Sequence, residues 1–197
     1  MDSCRLARVT DADAIAHIQA AAWRERFQLT WPPELLAALE EDSASHEWVR
    51  AILSPPDPRV RILVATNAVD EVVGFAALGP TGDPDMGDQT LEVVMWEVHP
   101  DARGAGHGSR LMSALADNAQ ALGCDSLTMW IGADEDARRI FATSCGWGPD
   151  RAHRNRESED FPAAHRTEIR LVTLLGDSSD RSEEMVGESP APAEDLS

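Results

Sequence analysis

Apolar residues along this chain follow two spacings. Ile15, Ile18, Ala22 and Trp23 return every three or four residues to about Phe27, the period of one helical face. Thr10 stands where a cap would, with Asp13 at the third helical position. Ahead of them Arg5–Val9 alternates polar and apolar positions and predicts a short strand. Pro32-Pro33 restarts the chain, and Leu35, Leu36, Leu39, Trp48, Val49 and Ile52 mark one broken or two short helices, stopped by Pro55, Pro56 and Pro58. Val60–Thr66 and Glu71–Leu78 are β-branched apolar runs joined by Asn67-Ala68-Val69-Asp70, a hairpin signal. The loop Gly79–Asp88 leads to a third such run, Leu91–Val98. A glycine-rich turn follows, and then Leu111, Leu115, Ala119 and Leu122 keep helical spacing until Gly123. Ser126–Ile131 predicts a strand, Asp134–Ser144 a helix closed by Gly146, Arg166–Leu175 a last strand, and Arg151–Arg156 one more. Elements in this mixed order predict an α/β (α+β) sheet with helices on both faces.

Composition separates the ends of the chain. Residues 176–197 hold seven acids and one base, −6 of the formal net charge of −18, with few large apolar groups. Such a segment cannot offset the entropy of ordering, so a domain over 1–175 with an acidic disordered tail over 176–197 is expected. Deleting 177–197 should leave the melting temperature nearly unchanged; a fall of more than several degrees in a thermal scan would show that the tail docks, since about 1 kcal/mol moves a domain of this size by roughly 2–4 °C. No apolar run approaches a membrane span, and the start MDSCRLARVT is too polar for a secretory signal, so a cytoplasmic protein is expected. None of the 17 basic residues is Lys, and the acidity argues against nucleic acid or an anionic membrane as partner. A domain of this size fits a monomer or a homodimer. Three cysteines, Cys4, Cys124 and Cys145, lack metal-ligand spacing and suggest reduced thiols, with no metal site.

The chemistry concentrates in Val98-His99-Pro100-Asp101-Ala102-Arg103-Gly104-Ala105-Gly106-His107-Gly108-Ser109-Arg110-Leu111. A strand ends, glycines follow, and a helix begins, so unpaired backbone N–H groups and the positive end of a helix dipole face one point. Such a turn suits a phosphate. A dinucleotide loop of the G-x-G-x-x-G kind does not fit, because Gly108 falls one position early and Leu127–Ile131 lacks the acid that would hold a ribose. The absence of Lys excludes a Walker loop.

This segment resembles the acetyl-CoA loop of the GNAT superfamily of N-acetyltransferases, written [RQ]-x-x-G-x-[GA], with Arg103, Gly106 and Gly108 at its defining positions. Asp134–Trp147 (DEDARRIFATSCGW) is similar to that family's helix N-x-x-A-x-x-[FL]-Y followed by G-F. The resemblance covers about residues 5–175. It implies the GNAT acyl-CoA N-acyltransferase fold, with a mixed, mostly antiparallel sheet splayed between the fourth and fifth strands. It implies acetyl-CoA as cosubstrate in that gap, its pyrophosphate on Arg103, Gly104, Ala105, Gly106, His107, Gly108 and Ser109. Its pantetheine would pair with the strand Leu91–Val98, along Val94, Trp96 and Val98. It also implies direct transfer of acetyl to a primary amine of a small molecule or protein.

Such transfer needs a base for the amine and stabilisation of the departing thiolate. Glu92 and Glu97 are the acids on the fourth strand, and their odd separation predicts opposite faces, with Glu92 beside Val94, Trp96 and Val98. Glu92 stands near the strand's start, where several family members carry a catalytic Glu, and is the first candidate; Glu97 is the second. The family's acid is a Tyr in the second motif. That position falls on Phe141 counting from Ala137 and on Ala142 counting back from Gly146, and the chain has no Tyr. A catalytically weak or inactive acyl-CoA-binding module is therefore the alternative. Arg138, Arg139, Arg151, Arg154 and Arg156 form the basic cluster, for the CoA 3′-phosphate or an anionic acceptor, or else solvated and paired to Glu157 or Glu159. Trp23, Trp31 and Trp48 belong to the helices that would shape an acceptor pocket, or to the core.

Overall fold

The computed structural model describes residues 2–37, 39, 41–156 and 166–176. The expected tail beyond Gly176, and the proposed partners Glu157 and Glu159, lie outside them. Among the described residues, seven strands form one sheet: β1 (Ser3–Leu6), β2 (Arg61–Thr66), β3 (Val72–Pro80), β4 (Thr90–Val98), β5 (Ser126–Gly132), β6 (Gly148–Arg156) and β7 (Arg166–Leu174). Their order is β1-β2-β3-β4-β5-β7-β6, antiparallel except for β4 and β5. The helices are α1 (Ala12–Phe27), α2 (Pro33–Ala37), α3 (Glu41–Leu53), α4 (His107–Ala121) and α5 (Asp136–Ser144). The first strand is thus shorter than expected. The helix after Thr10 is also entered differently: a 3-10 turn over Val9–Asp11 precedes it, and the Asp11 carboxylate accepts from the Arg8 N–H at 2.6 Å and from Arg5 at 2.7 Å. Asp13 instead accepts from the Ser45 hydroxyl, tying α1 to α3.

Each face of the sheet buries its own helices. Ile15 and Ile18 of α1 pack with Val64, Phe75 and Ala77, and Trp48 of α3 meets Phe75 edge-on at 5.1 Å. Leu111, Leu115 and Ala119 of α4 fill the opposite face against Leu63, Leu78 and Leu127. Both sets return at helical spacing, so each helix presents one apolar stripe to the strands.

Two departures from regularity shape the site. β4 and β5 pair only over Thr90–Glu92 and Ser126–Thr128, and beyond Glu92 the strands diverge, leaving the C-terminal half of β4 without a neighbour on that side. The second is a bulge. Ala77 of β3 faces Met95 but Leu78 faces Val93, so Val94 has no partner and is 57% exposed. A bulge resets the alternation of side chains. Leu91, Val93, Trp96 and Val98 consequently share the α4 face, whereas Glu92, opposite Gly79, and Glu97, opposite Phe75, share the other. The expectation that Glu92 and Glu97 lie on opposite faces, with Glu92 beside Trp96, is overturned: one extra residue turns an odd separation into an even one.

Candidate active site

α4 begins without a side-chain cap. Its N-cap is Gly106 at φ 83°, a left-handed conformation that costs a side-chain-bearing residue about 1–2 kcal/mol. Gly108 is needed for another reason, since a Cβ there would come within 3.0 Å of the Phe141 ring. The first N–H groups of α4 have no acceptor within the helix and face a cavity of about 760 Å³. The cavity runs from the loop 103–109 past Trp96, Glu97 and Val98 to Asp134–Arg138 and Phe141, with Glu25 and Arg26 of α1 on its other side. That is the space opened by the divergence of β4 from β5. A glycine-lined helix terminus at one end and unpaired strand backbone along the wall suit a pyrophosphate with a long amide-bearing arm.

The expected residues divide accordingly. Trp96, Val98, Arg103, Gly104, Gly106, His107, Gly108, Ser109 and Arg138 line the cavity, as does Glu97. Val94 stands out on the bulge, and Ala105 and Glu92 are not among the lining residues. Arg103 sits at the rim, paired to Glu25 at 2.8 Å. The two readings of the tyrosine position separate: Phe141 faces the cavity and stacks on Trp96 at 5.0 Å, whereas Ala142 is fully buried in the core.

Arg138 is not on a solvated surface. Its guanidinium lies over the Trp96 indole at 4.5 Å and donates to Glu97 Oε2 and to the Trp96 carbonyl, both at 3.1 Å. Glu97 is buried and also accepts from Arg26, whose Nε lies 3.2 Å from Glu135 Oε1. Arg26 and Glu135 were invisible to sequence reasoning, because a buried Arg on a polar helix face reads like an exposed one. The rest of the basic cluster disperses. Arg139 pairs with Asp136 on the surface, and Arg154 joins Arg166 around Glu168.

Glu168 belongs to a polar lattice on the face away from α4. The registers of β4, β5 and β7 put Glu92, Thr128, Trp130, Arg170 and Glu168 on that face. Arg154 lies over the Trp130 ring at 4.3 Å, and Arg170 bridges Asp83 at 2.6 Å and Asp150 at 2.7 Å. Glu92 accepts from the Thr81 hydroxyl at 3.2 Å. Burial pushes its carboxyl above the usual range, against the pull of Arg154 and Thr81. For Glu168 burial acts in the same direction, but hydrogen bonds from Arg154 and Arg166 outweigh it and hold the carboxyl below the usual range. Glu168→Gln should cost about 3–5 kcal/mol, the penalty for breaking a buried ion pair. Since the folded pKa lies below the unfolded value of about 4.3, this stability is fully present above that value and is lost as pH falls through the folded pKa. Melting temperatures measured against pH should converge in acid for variant and wild type; parallel curves would count against the assignment.

The profile of the Acetyltransferase (GNAT) family matches residues 13–147. A search of curated protein sequences gave no match. Among solved structures, the fold is similar to ribosomal-protein-alanine N-acetyltransferase from Brucella melitensis (24% identity, 88% of this chain and 99% of that one, TM-score 0.66). It is similar also to yncA from Salmonella typhimurium with its cofactor acetyl-CoA (20%, 98% of each chain, TM-score 0.64). A third is the paiA N-acetyltransferase from Thermoplasma acidophilum in complex with coenzyme A (12%, 88% and 99%, TM-score 0.65). With the profile spanning 135 of 197 residues and the splayed sheet agreeing, the chain belongs to the GNAT family of acetyltransferases, enzymes that use acetyl-CoA as cosubstrate.

Proposed function

We propose that this protein transfers the acetyl group of acetyl-CoA directly to a primary amine of a small molecule or protein, in the cytoplasm. The observation that carries the reading is the uncapped N-terminus of α4, with Gly106 at positive φ, opening onto a cavity that follows the unpaired half of β4. The N–H groups of His107, Gly108 and Ser109 hold the pyrophosphate, Arg103 adds a cation at the rim, and the backbone around Trp96 and Val98 holds the pantetheine arm. Acetyl-CoA supplies the activated acyl group. Glu92 acts as base at the vertex where β4 leaves β5. Its raised pKa makes it a better proton acceptor than an ordinary surface carboxylate. Glu97, spent on Arg26 and Arg138, is an anchor.

A second reading, a binding module with little turnover, draws on Phe141, which brings an apolar ring rather than a hydroxyl to the cavity. Release of free CoA thiol on mixing with acetyl-CoA and a panel of amines separates the two. Thiol release dependent on one class of amine supports the enzyme and identifies the acceptor. Tight acetyl-CoA binding with no release for any amine would leave the binding module.

A further inference from the structure

Among the described lining residues, one cation is neither at the rim nor given wholly to carboxylates. Arg103 is half exposed at the rim and Arg26 is committed to Glu97 and Glu135. Arg138 differs. Its two terminal nitrogens reach Glu97 and the Trp96 carbonyl through one N–H each and keep a second N–H apiece, whereas its Nε, also without a partner, is shut off from the cavity. That carbonyl belongs to the part of β4 that has left β5, so Arg138 spans the gap from α5 to the free strand. Its planar group is fixed by stacking on Trp96, which also carries Phe141. The chain contains neither Lys nor Tyr, so no ammonium or phenol is available for this place.

We propose that Arg138 is a catalytic residue that donates a hydrogen bond to the thioester sulfur and stabilises the thiolate that leaves; this rests on the reading that acetyl-CoA enters this cavity. In the step, the amine nitrogen forms a C–N bond to the acyl carbon, and the C–S bond breaks with its electron pair going to sulfur. The amine proton goes across intervening water to Glu92, which does not line the cavity, and the thiolate later takes a proton from solvent. Arg138 keeps its protons throughout, because a guanidinium titrates above the working range. Its contribution is electrostatic, placed where negative charge develops. Burial favours loss of its charge, so a second anion beside it is welcome. The charged groups facing it are Glu97 from β4, Arg26 from α1 and Glu135 from the β5–α5 loop. Arg166 of β7 stands behind Glu135 at 3.7 Å.

The test reads the bound product. CoA is added to the full-length protein, and its thiol is titrated by the ultraviolet absorbance of the thiolate. In wild type the bound thiol should titrate at least one unit below its free value of about 8.5. Arg138→Met should return it to the free value or above, a tenfold or greater loss of thiolate, and Arg138→Lys should keep part of the shift. Glu97→Gln should move it the other way, further down, because it removes a negative charge and leaves the cation. A merely structural role would move both variants alike. If Arg138→Met does not fold, the opposed signs of Arg138→Lys and Glu97→Gln carry the test. CoA that binds wild type with an unshifted thiol, or a thiol that moves the same way in both variants, overturns the role of Arg138 alone. CoA that does not bind wild type overturns the cofactor site and this assignment with it.

Discussion

Glu92→Gln is expected to lower turnover by about 10²–10⁴-fold, the usual worth of a positioned base, with acetyl-CoA affinity unchanged. The amide keeps the shape and can still pair with the Thr81 hydroxyl, but it accepts no proton. Affinity is spared because the proposed cofactor contacts come from backbone groups of β4 and α4, and Glu92 is not among the residues lining the cavity. The acid limb of kcat/KM, which reports the free enzyme's base, should lie above the ordinary glutamate range in wild type and flatten in the variant. One acceptor must be used throughout, since its amine contributes a limb of its own. Stability should move in the opposite direction to activity. Burial raises the folded pKa of Glu92, so its favourable contribution is present below the unfolded pKa and is lost as pH rises through the folded one. At neutral pH the glutamine variant should therefore melt no lower than wild type. Full activity in Glu92→Gln would mean that the amine loses its proton through water without Glu92. Lost activity together with lost stability would point to a structural part in the polar lattice.

Gly106→Asp is expected to abolish acetyl-CoA binding by calorimetry while a folded protein remains. Two effects act together. At φ 83° any residue with a Cβ is strained by about 1–2 kcal/mol, which a domain can bear. The carboxylate, however, stands at the helix N-terminus proposed for the pyrophosphate, and replaces attraction by repulsion where the helix N–H groups converge. Space is not the obstacle, since a Cβ at Gly106 would meet only the Arg110 side chain, at 3.6 Å. Gly106→Ala is therefore the control: it carries the strain without the charge and should retain part of the affinity. Wild-type affinity in the aspartate variant would remove the loop from the cofactor site.

What was legible in the sequence is what is local. The loop 103–109 could be read because the turn, its glycines and the helix it opens are all set within about ten residues. The two core helices were legible from apolar spacing, and the 67–70 hairpin from its turn residues, with Asp70 at φ 65°. The helix ends at Gly123 and Gly146 were readable for the same reason, and both take positive φ. Thr10 misled because capping competes: Asp11 was drawn into a pair with Arg5 and the Arg8 N–H, and the helix began one residue late. The faces of the fourth strand could not be read. In Thr90–Val98 the apolar run is nearly continuous, and nothing in it marks Val94 as the residue left over when β4 pairs with β3. A bulge is a property of two strands in register, so a period counted along one of them assigns every residue beyond it to the wrong side. The same holds for Arg138. Its partner Glu97 is 41 residues away and Arg26 is 71 residues from Glu97, and only the splay of the sheet leaves the Trp96 carbonyl free to meet it. Charge by itself does not say whether an arginine will face water or a buried carboxylate; the tertiary structure decides that, because the cost of burial is met only where the partner has already been brought into place.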